Sequence, residues 1–365
     1  MKLEELAANR NGDKEIIEIL KKSKKAVLVY GSANHAELVQ EYLAGWGVSV
    51  EAFVVDDAFY EKDFFINGLK VTTINNYVNA LENYNVVIGF CDIEKSKFIV
   101  SNPCLLKTNF FLLWEPLETY KWSEEYLKDN WSELLKVYNN LADDLSRKTL
   151  SSLIEAKLNF CGKDLLKIAD KNQYFNELTF CIDSSKEIFV DCGAFNGDTV
   201  SKYVEFTNND YKKIYAFEPN QNNIIALKKR TELVENIEII EKGTWNEETV
   251  LEFSENGSAS QIVEDEGSVK VEVTTIDNIV GDDKVTFIKM DVEGSELESL
   301  EGAKQTIAKN IPKLAICCYH KRDDIVNLYN YINQFENDEY RYNFYLRHHS
   351  NSVYETVLYA IPIKK

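Results

Sequence analysis

Nowhere in these 365 residues is there an apolar run of membrane-spanning length, a disorder-prone tract, or a pair of cysteines at C-x-x-C spacing. The first absence excludes a helical membrane span, and the second excludes a long unstructured arm. The third removes the commonest zinc signature. Basic charge is also in short supply: 41 Lys and Arg stand against 60 Asp and Glu, giving a formal net charge of −19 and a pI near 4.8. Phosphate backbones are met by clustered Lys and Arg, so nucleic acid is not an expected partner. The seven cysteines (91, 104, 161, 181, 192, 317 and 318) occur singly or as one adjacent pair, and read as buried thiols of a reducing compartment. The opening MKLEE is charged and helical in pattern, without the apolar core of a signal peptide, so the expectation is a cytoplasmic protein. Length and 45% hydrophobic content suit two soluble domains, each with its own core.

What is present centres on residues 188–198, IFVDCGAFNGD. Apolar, β-favouring residues run into Asp191, two glycines bracket a turn, and a helix-compatible stretch follows, which is a strand, a ligand-binding turn and a helix start. Gly193 and Gly197 let a ligand lie against the main chain beside Ala194. A dinucleotide turn would carry a glycine at the middle position for the pyrophosphate. Here that position is Phe195, and Asp198 stands at the helix start where a phosphate would be repelled. The turn therefore favours a nucleoside without phosphates and disfavours an NAD-type oxidoreductase. A second strand, 213–217, ends in Glu218-Pro219, and Glu218 lies 21 positions beyond Gly197, where an acid accepts hydrogen bonds from ribose hydroxyls.

Further strands are expected at 237–241, 286–290 and 313–318, with a hairpin over 250–253 and 269–274. Ligands of parallel α/β sheets gather beyond the strands' carboxyl ends, which makes Gly243, Thr244 and Trp245 candidates to hold an adenine. The small polar loop 256–261, with Ser260, reads either as a solvated loop or as a cover over the ligand. Asp291 and Glu293 follow one strand, and His320 and Lys321 follow another.

The run 287–303, FIKMDVEGSELESLEGA, resembles the K-x-D-x-E-G-x-E-x-x-x-L-x-G-A signature of the FkbM family of S-adenosylmethionine-dependent methyltransferases. The resemblance covers roughly 144–362. It implies an α/β fold with a C-terminal Rossmann-like seven-stranded methyltransferase sheet whose last strand, among 343–346 and 355–360, is antiparallel. It also implies S-adenosylmethionine as cofactor and a sugar hydroxyl, in a glycan or glycosylated metabolite, as methyl acceptor. Gln173-Tyr174-Phe175 resembles a recurrent family element, which brings Tyr174 toward the cofactor or acceptor. On this reading Asp191, Gly193, Ala194, Phe195, Gly197, Asp198, Glu218, Pro219, Gly243, Thr244, Trp245, Ser260 and Asp291 face the cofactor. Tyr174, Glu293, Lys321, Arg347, His348 and His349 face the acceptor.

The first 112 residues form a second strand-turn-helix-strand-acid unit: strand 26–30, turn 31–35, a helix to residue 43, and strand 50–55 before Asp56-Asp57. This resembles the smaller N-terminal Rossmann-like α/β domain of some sugar-modifying enzymes. Its turn holds a single glycine, so a structural role and a nucleotide-sugar site both stay open, and with them a non-catalytic binding protein as the alternative function. Residues 113–180 read as a helical, aromatic-rich connector, and 181–365 as the methyltransferase domain.

Methyl transfer from a sulfonium needs the acceptor positioned and its proton removed. His320 is the expected base, since a neutral imidazole suits that work near neutral pH, with Asp291 orienting the acceptor. Asp291, Glu293 and His320 also form the ligand set of an optional magnesium-type site.

Overall fold

The computed structural model describes residues 12–101, 109–117, 121–181, 184–254 and 268–365. The chain divides into two compact units, one of 1–132, 148–171 and 348–355, the other of 133–147, 172–347 and 356–365. The segment 113–180 is thus shared between the two. Its helical expectation holds over Glu124–Asn140, Asp144–Asn159 and Lys163–Ile168. Trp114, Trp122 and Tyr126 from its aromatic series are buried, as packing residues are.

In the first unit, strands β1 (Ala26–Tyr30), β2 (Val50–Val55), β3 (Phe65–Ile66), β4 (Leu69–Thr73), β5 (Tyr84–Ile88) and β6 (Asn109–Phe111) form one sheet in the order β3-β4-β2-β1-β5-β6. All pairs are parallel except β3 with β4. Such a sheet buries both faces, which is why β1 and β5 read as near-continuous apolar runs. Helix Asn34–Gly45 turns Ala36, Val39 and Leu43 into the core against Val29, Phe53 and Val87. Asp56, at the nucleotide-type position after β2, is held by the Tyr30 hydroxyl at 2.5 Å and by Lys95 at 2.5 Å. His35 sits with Nδ1 2.8 Å from the Cys91 sulfur.

The second unit carries β7 (Ile188–Cys192), β8 (Lys213–Phe217), β9 (Ile237–Ile240), β10 (Gly243–Thr244), β11 (Thr249–Ser254), β12 (Ser268–Thr274), β13 (Phe287–Met290), β14 (Lys313–Cys317), β15 (Tyr340–His348) and β16 (Thr356–Lys364). Seven of them form a sheet in the order β15-β16-β14-β13-β7-β8-β9. From β14 to β9 the pairing is parallel, and β16 runs antiparallel to β14, as the resemblance implied. The expected hairpin is present as β11 and β12, with Val250 opposite Glu272, joined by β10 into a small separate sheet. The last two strands are longer than expected, at nine residues each. The core beneath β7 is aromatic: the rings of Phe189 and Tyr203 stack at 4.3 Å, and Phe287 packs 5.1 Å from Phe189. This packing fixes the helix Asp198–Phe206 against β7, and so fixes the turn between them. Among the described residues, no helix is long and apolar enough to cross a membrane.

Candidate active site

β7, β8, β13 and β14 are parallel neighbours, so the residues that follow them emerge at one edge of the sheet. After β7 the chain turns sharply. Gly193 has φ +78° and Gly197 φ +84°, both in the left-handed region that glycine adopts without strain. At Gly193 a side chain is also excluded by space, because a Cβ would lie 1.9 Å from the Asp291 carbonyl oxygen. The turn after β7 and the segment after β13 are therefore in backbone contact.

Lys289, from β13, props up this turn from below. Its ammonium lies 3.0 Å from Asp191 Oδ1 and donates to the carbonyls of Gly193 at 2.8 Å and Cys192 at 3.3 Å. Burial pushes the Asp191 carboxyl up to about 6, with Lys289 opposing, and both groups are charged at neutral pH. Burial disfavours charge on Lys289, but Asp191 and Asp291 raise it above the ordinary lysine range. Asp191 has no exposed surface and anchors the turn from within the protein.

Glu218 follows β8 and is 5% exposed. Its Oε2 accepts the Phe195 N–H at 2.9 Å, while Oε1 accepts from the Asn220 N–H at 2.9 Å and the Asn223 amide at 3.2 Å. A carboxylate oxygen has two acceptor positions, so Oε2 has one left for a hydroxyl donor. The acid thus ties the turn after β7 to the segment that follows β8. Phe195 itself has φ +47° and is 55% exposed, an apolar ring held outward in a strained conformation. Ala194 is buried, and Asp198 pairs with Lys202 at 3.1 Å on the first helical turn.

The residues expected at an adenine differ in their surroundings. Gly243 is half-buried beside Pro219, and Trp245 is half-buried with its N–H on the Thr274 carbonyl. The Thr244 hydroxyl is taken up by Ser299 at 2.6 Å, in a buried contact that faces the protein. Ser260 and the loop 256–261 lie outside the described residues.

Beyond β13 and β14 the polar side chains converge. The Asp291 carboxylate accepts the Tyr174 hydroxyl on Oδ2 at 3.0 Å and the Tyr319 hydroxyl on Oδ1 at 3.1 Å. Tyr174 is held at φ +65°, with its N–H on the Tyr359 hydroxyl. His320 Nε2 lies 3.5 Å from Asp291 and 3.6 Å from Glu293, while Nδ1 is 2.9 Å from Glu296 Oε1. Burial alone would lower the imidazole, but Glu296, then Asp291 and Glu293, raise it to about 9. Both ring nitrogens of His320 thus face carboxylates.

Glu296 is the residue the sequence reading passed over. It is the second glutamate of the K-x-D-x-E-G-x-E pattern and 1% exposed, and its Oε1 accepts the Val292 N–H at 3.0 Å. Its place on the first turn of the helix Glu296–Glu301 could be read as ordinary helix-start acidity, and only its burial reveals otherwise. The optional metal set changes accordingly. Among the described residues, the group whose ligand atoms all lie within 4.8 Å is Asp291, Glu296 and His320, while the side chain of Glu293 is 78% exposed.

The other expected acceptor contacts find partners in the protein. Lys321 is 3.4 Å from Glu298, and its N–H bonds the Asp324 carboxylate at 2.6 Å. Arg347 is buried in the second unit, paired with Asp143 at 2.6 Å and donating to Ser146 at 2.7 Å. His348 and His349 belong to the first unit. Burial lowers His348 to about 3, and His349 Nδ1 bonds the Asp170 carbonyl at 2.7 Å. Residues 347–349, expected at the acceptor, are buried, with β15 extending through Arg347 and His348.

Residues 191–346 match the family model of the methyltransferase FkbM domain. The fold of nearly the whole chain is shared with a crystal structure of methyltransferase FkbM from Methylobacillus flagellatus KT, at TM-score 0.66 and 22% identity over 97% of this chain and 95% of that one. An rRNA methylase from Streptococcus thermophilus overlaps less, at TM-score 0.34 and 18% identity, over 50% of this chain and 89% of that one. No curated protein matches the sequence.

Proposed function

We propose, for a chain that carries a methyltransferase FkbM domain over residues 191–346, that it transfers a methyl group from S-adenosylmethionine to a hydroxyl of a sugar, in a glycan or glycosylated metabolite. The observation that carries this reading is the joining of three strand ends. The glycine turn after β7 is tied to Glu218 after β8 by the Phe195 N–H, and backed onto the Asp291 backbone after β13. A nucleoside cofactor fits these residues: Glu218 Oε2 keeps an acceptor position for a ribose hydroxyl, and the exposed Phe195 and acidic Asp198 suit a ligand without phosphates.

When bound, the cofactor supplies a methyl group already activated by its positive sulfur. The protein's own work is then to hold the acceptor oxygen in line and to remove its proton. Asp291 is held by two tyrosine hydroxyls, so its carboxylate is fixed beside the site in one orientation. Tyr174 links that carboxylate to the buried core, and His320 stands next to it. Isothermal calorimetry with S-adenosylhomocysteine and with NAD tests the cofactor, and exclusive NAD binding would overturn the proposal. Incubation with isotope-labelled S-adenosylmethionine and a panel of glycans and nucleotide sugars, read by mass, tests the acceptor.

A further inference from the structure

Three side chains from separate stretches of the chain meet at this edge of the sheet. Asp291 follows β13, Glu296 opens the helix Glu296–Glu301, and His320 follows β14. We propose that Asp291, Glu296 and His320 bind one divalent cation of the manganese type, which holds the acceptor oxygen and stabilises the negative charge that develops on it as the hydroxyl ionises. The binding site stands on its own geometry, whereas the cation's catalytic role rests on the methyl-transfer reading.

The first argument is the buried carboxylate. Glu296 is 1% exposed, and its Oε2 has no hydrogen-bond partner. A carboxylate so buried is costly unless its charge is met. His320 Nδ1 comes within 2.9 Å of Glu296 Oε1, yet without the alignment of a hydrogen bond. Two ligand atoms bonded at about 2.1 Å to one octahedral cation lie about 3 Å apart. The close but misaligned pair suits two ligands of one ion better than a donor and its acceptor.

The second argument is the outer support. Ligating carboxylates are themselves hydrogen-bonded, which fixes their direction. Asp291 receives one tyrosine hydroxyl on each oxygen, and Glu296 Oε1 receives the Val292 N–H. Donor chemistry selects the ion. Magnesium and calcium favour all-oxygen cages, and an imidazole beside two carboxylates suits manganese(II), which takes both. Three protein ligands leave positions open for two neighbouring hydroxyl oxygens of a sugar.

The chemical step then balances. The cation lowers the pKa of one hydroxyl, whose proton passes to the exposed carboxylate of Glu293, 3.6 Å from the His320 ring. The oxygen's electron pair forms the new C–O bond as the methyl–sulfur bond breaks, and that pair stays on sulfur as a neutral thioether.

The test uses the full chain, stripped with a chelator and titrated with MnCl2, followed by electron paramagnetic resonance and calorimetry. One Mn2+ per chain is expected, with affinity falling roughly 10-fold or more in Glu296→Gln and in His320→Gln, and unchanged in the surface control Asp323→Asn. Absence of Mn2+ binding by the wild-type chain at millimolar concentration would overturn the proposal, whether or not the variants fold. So would wild-type affinity in a Glu296→Gln protein with a normal thermal melt. S-adenosylhomocysteine binding is measured on the same stripped samples. If it binds and Mn2+ does not, the cation site fails and the methyltransferase reading stands; if Mn2+ alone binds, the reverse holds.

Discussion

Lys289 and Asp191 face each other at 3.0 Å from adjacent strands, one 2% exposed and the other not at all. The pair is set at the base of the turn after β7, and the lysine also grips two of the turn's carbonyls. Removing one partner leaves a buried charge uncompensated, at a cost of about 3–5 kcal/mol. Lys289→Met is therefore expected to destabilise the protein more than Lys289→Met combined with Asp191→Asn. Urea unfolding of both single variants and the double variant measures this, and simple additivity would contradict it.

Gly193 and Gly281 both have positive φ, but they differ in their surroundings. A Cβ at Gly281 meets nothing within 4 Å, whereas at Gly193 it would lie 1.9 Å from the Asp291 carbonyl. Gly281→Ala should lose about 1–3 kcal/mol of stability from backbone strain alone. Gly193→Ala should lose more than that, and should also lose S-adenosylhomocysteine binding. Equal melting points for the two variants would show that the close approach does not matter.

Asp291→Ala and His320→Ala are expected to lower turnover roughly 100-fold or more while cofactor affinity stays nearly intact. The split between the two measurements is the diagnostic one. Wild-type turnover in both variants would remove these residues from the chemistry.

Asp13 lies fully buried in the first unit, its Oδ2 accepting the N–H groups of Trp114 and Glu115. Burial raises its pKa from 3.8 to about 7, against the pull of those two bonds. The folded state therefore holds a proton that the unfolded chain has released, and stability from this group falls as pH rises from 3.8 to about 7. In Asp13→Asn the amide oxygen still accepts both bonds, so the variant should lose this slope and gain stability at pH 8. Denaturant midpoints across that range decide the point.

Arg347 is buried against Asp143 and Ser146. Arg347→Ala should cost about 2 kcal/mol through the lost charge-assisted bonds and leave S-adenosylhomocysteine affinity unchanged. A selective loss of acceptor binding in a protein of normal stability would restore the role its sequence first suggested.

The strands on both sides of the site were legible because buried parallel strands write themselves as apolar runs, as in IFVDC and KIYAF, and because an acid stands near the end of each, Asp191 within β7 and Glu218 just after β8. Spacing alone pointed to Glu218, which is buried against the turn after β7. The burial of residues 347–349 was not legible, because three polar side chains in a row look the same whether they face a cavity or neighbouring chain. Glu296 was hidden for the opposite reason: on the first turn of a helix an acid is ordinary, and nothing local says that tertiary packing has closed over it. His320 was found by type, but its protonation depends on carboxylates converging from other stretches, which spacing does not encode.

The partition of the chain into 1–132, 148–171 and 348–355 against 133–147, 172–347 and 356–365 means that the backbone passes between the two units five times. A single cut in the gene cannot release either one whole. A fragment ending near residue 112 would leave 113–132, 148–171 and 348–355 of its own unit behind, and one starting near 181 would leave 133–147 and 172–180 behind. Recombination that exchanged the first unit for another would have to replace three separated segments at once. The two units are thus interleaved along the chain, and neither can be exchanged as one continuous module.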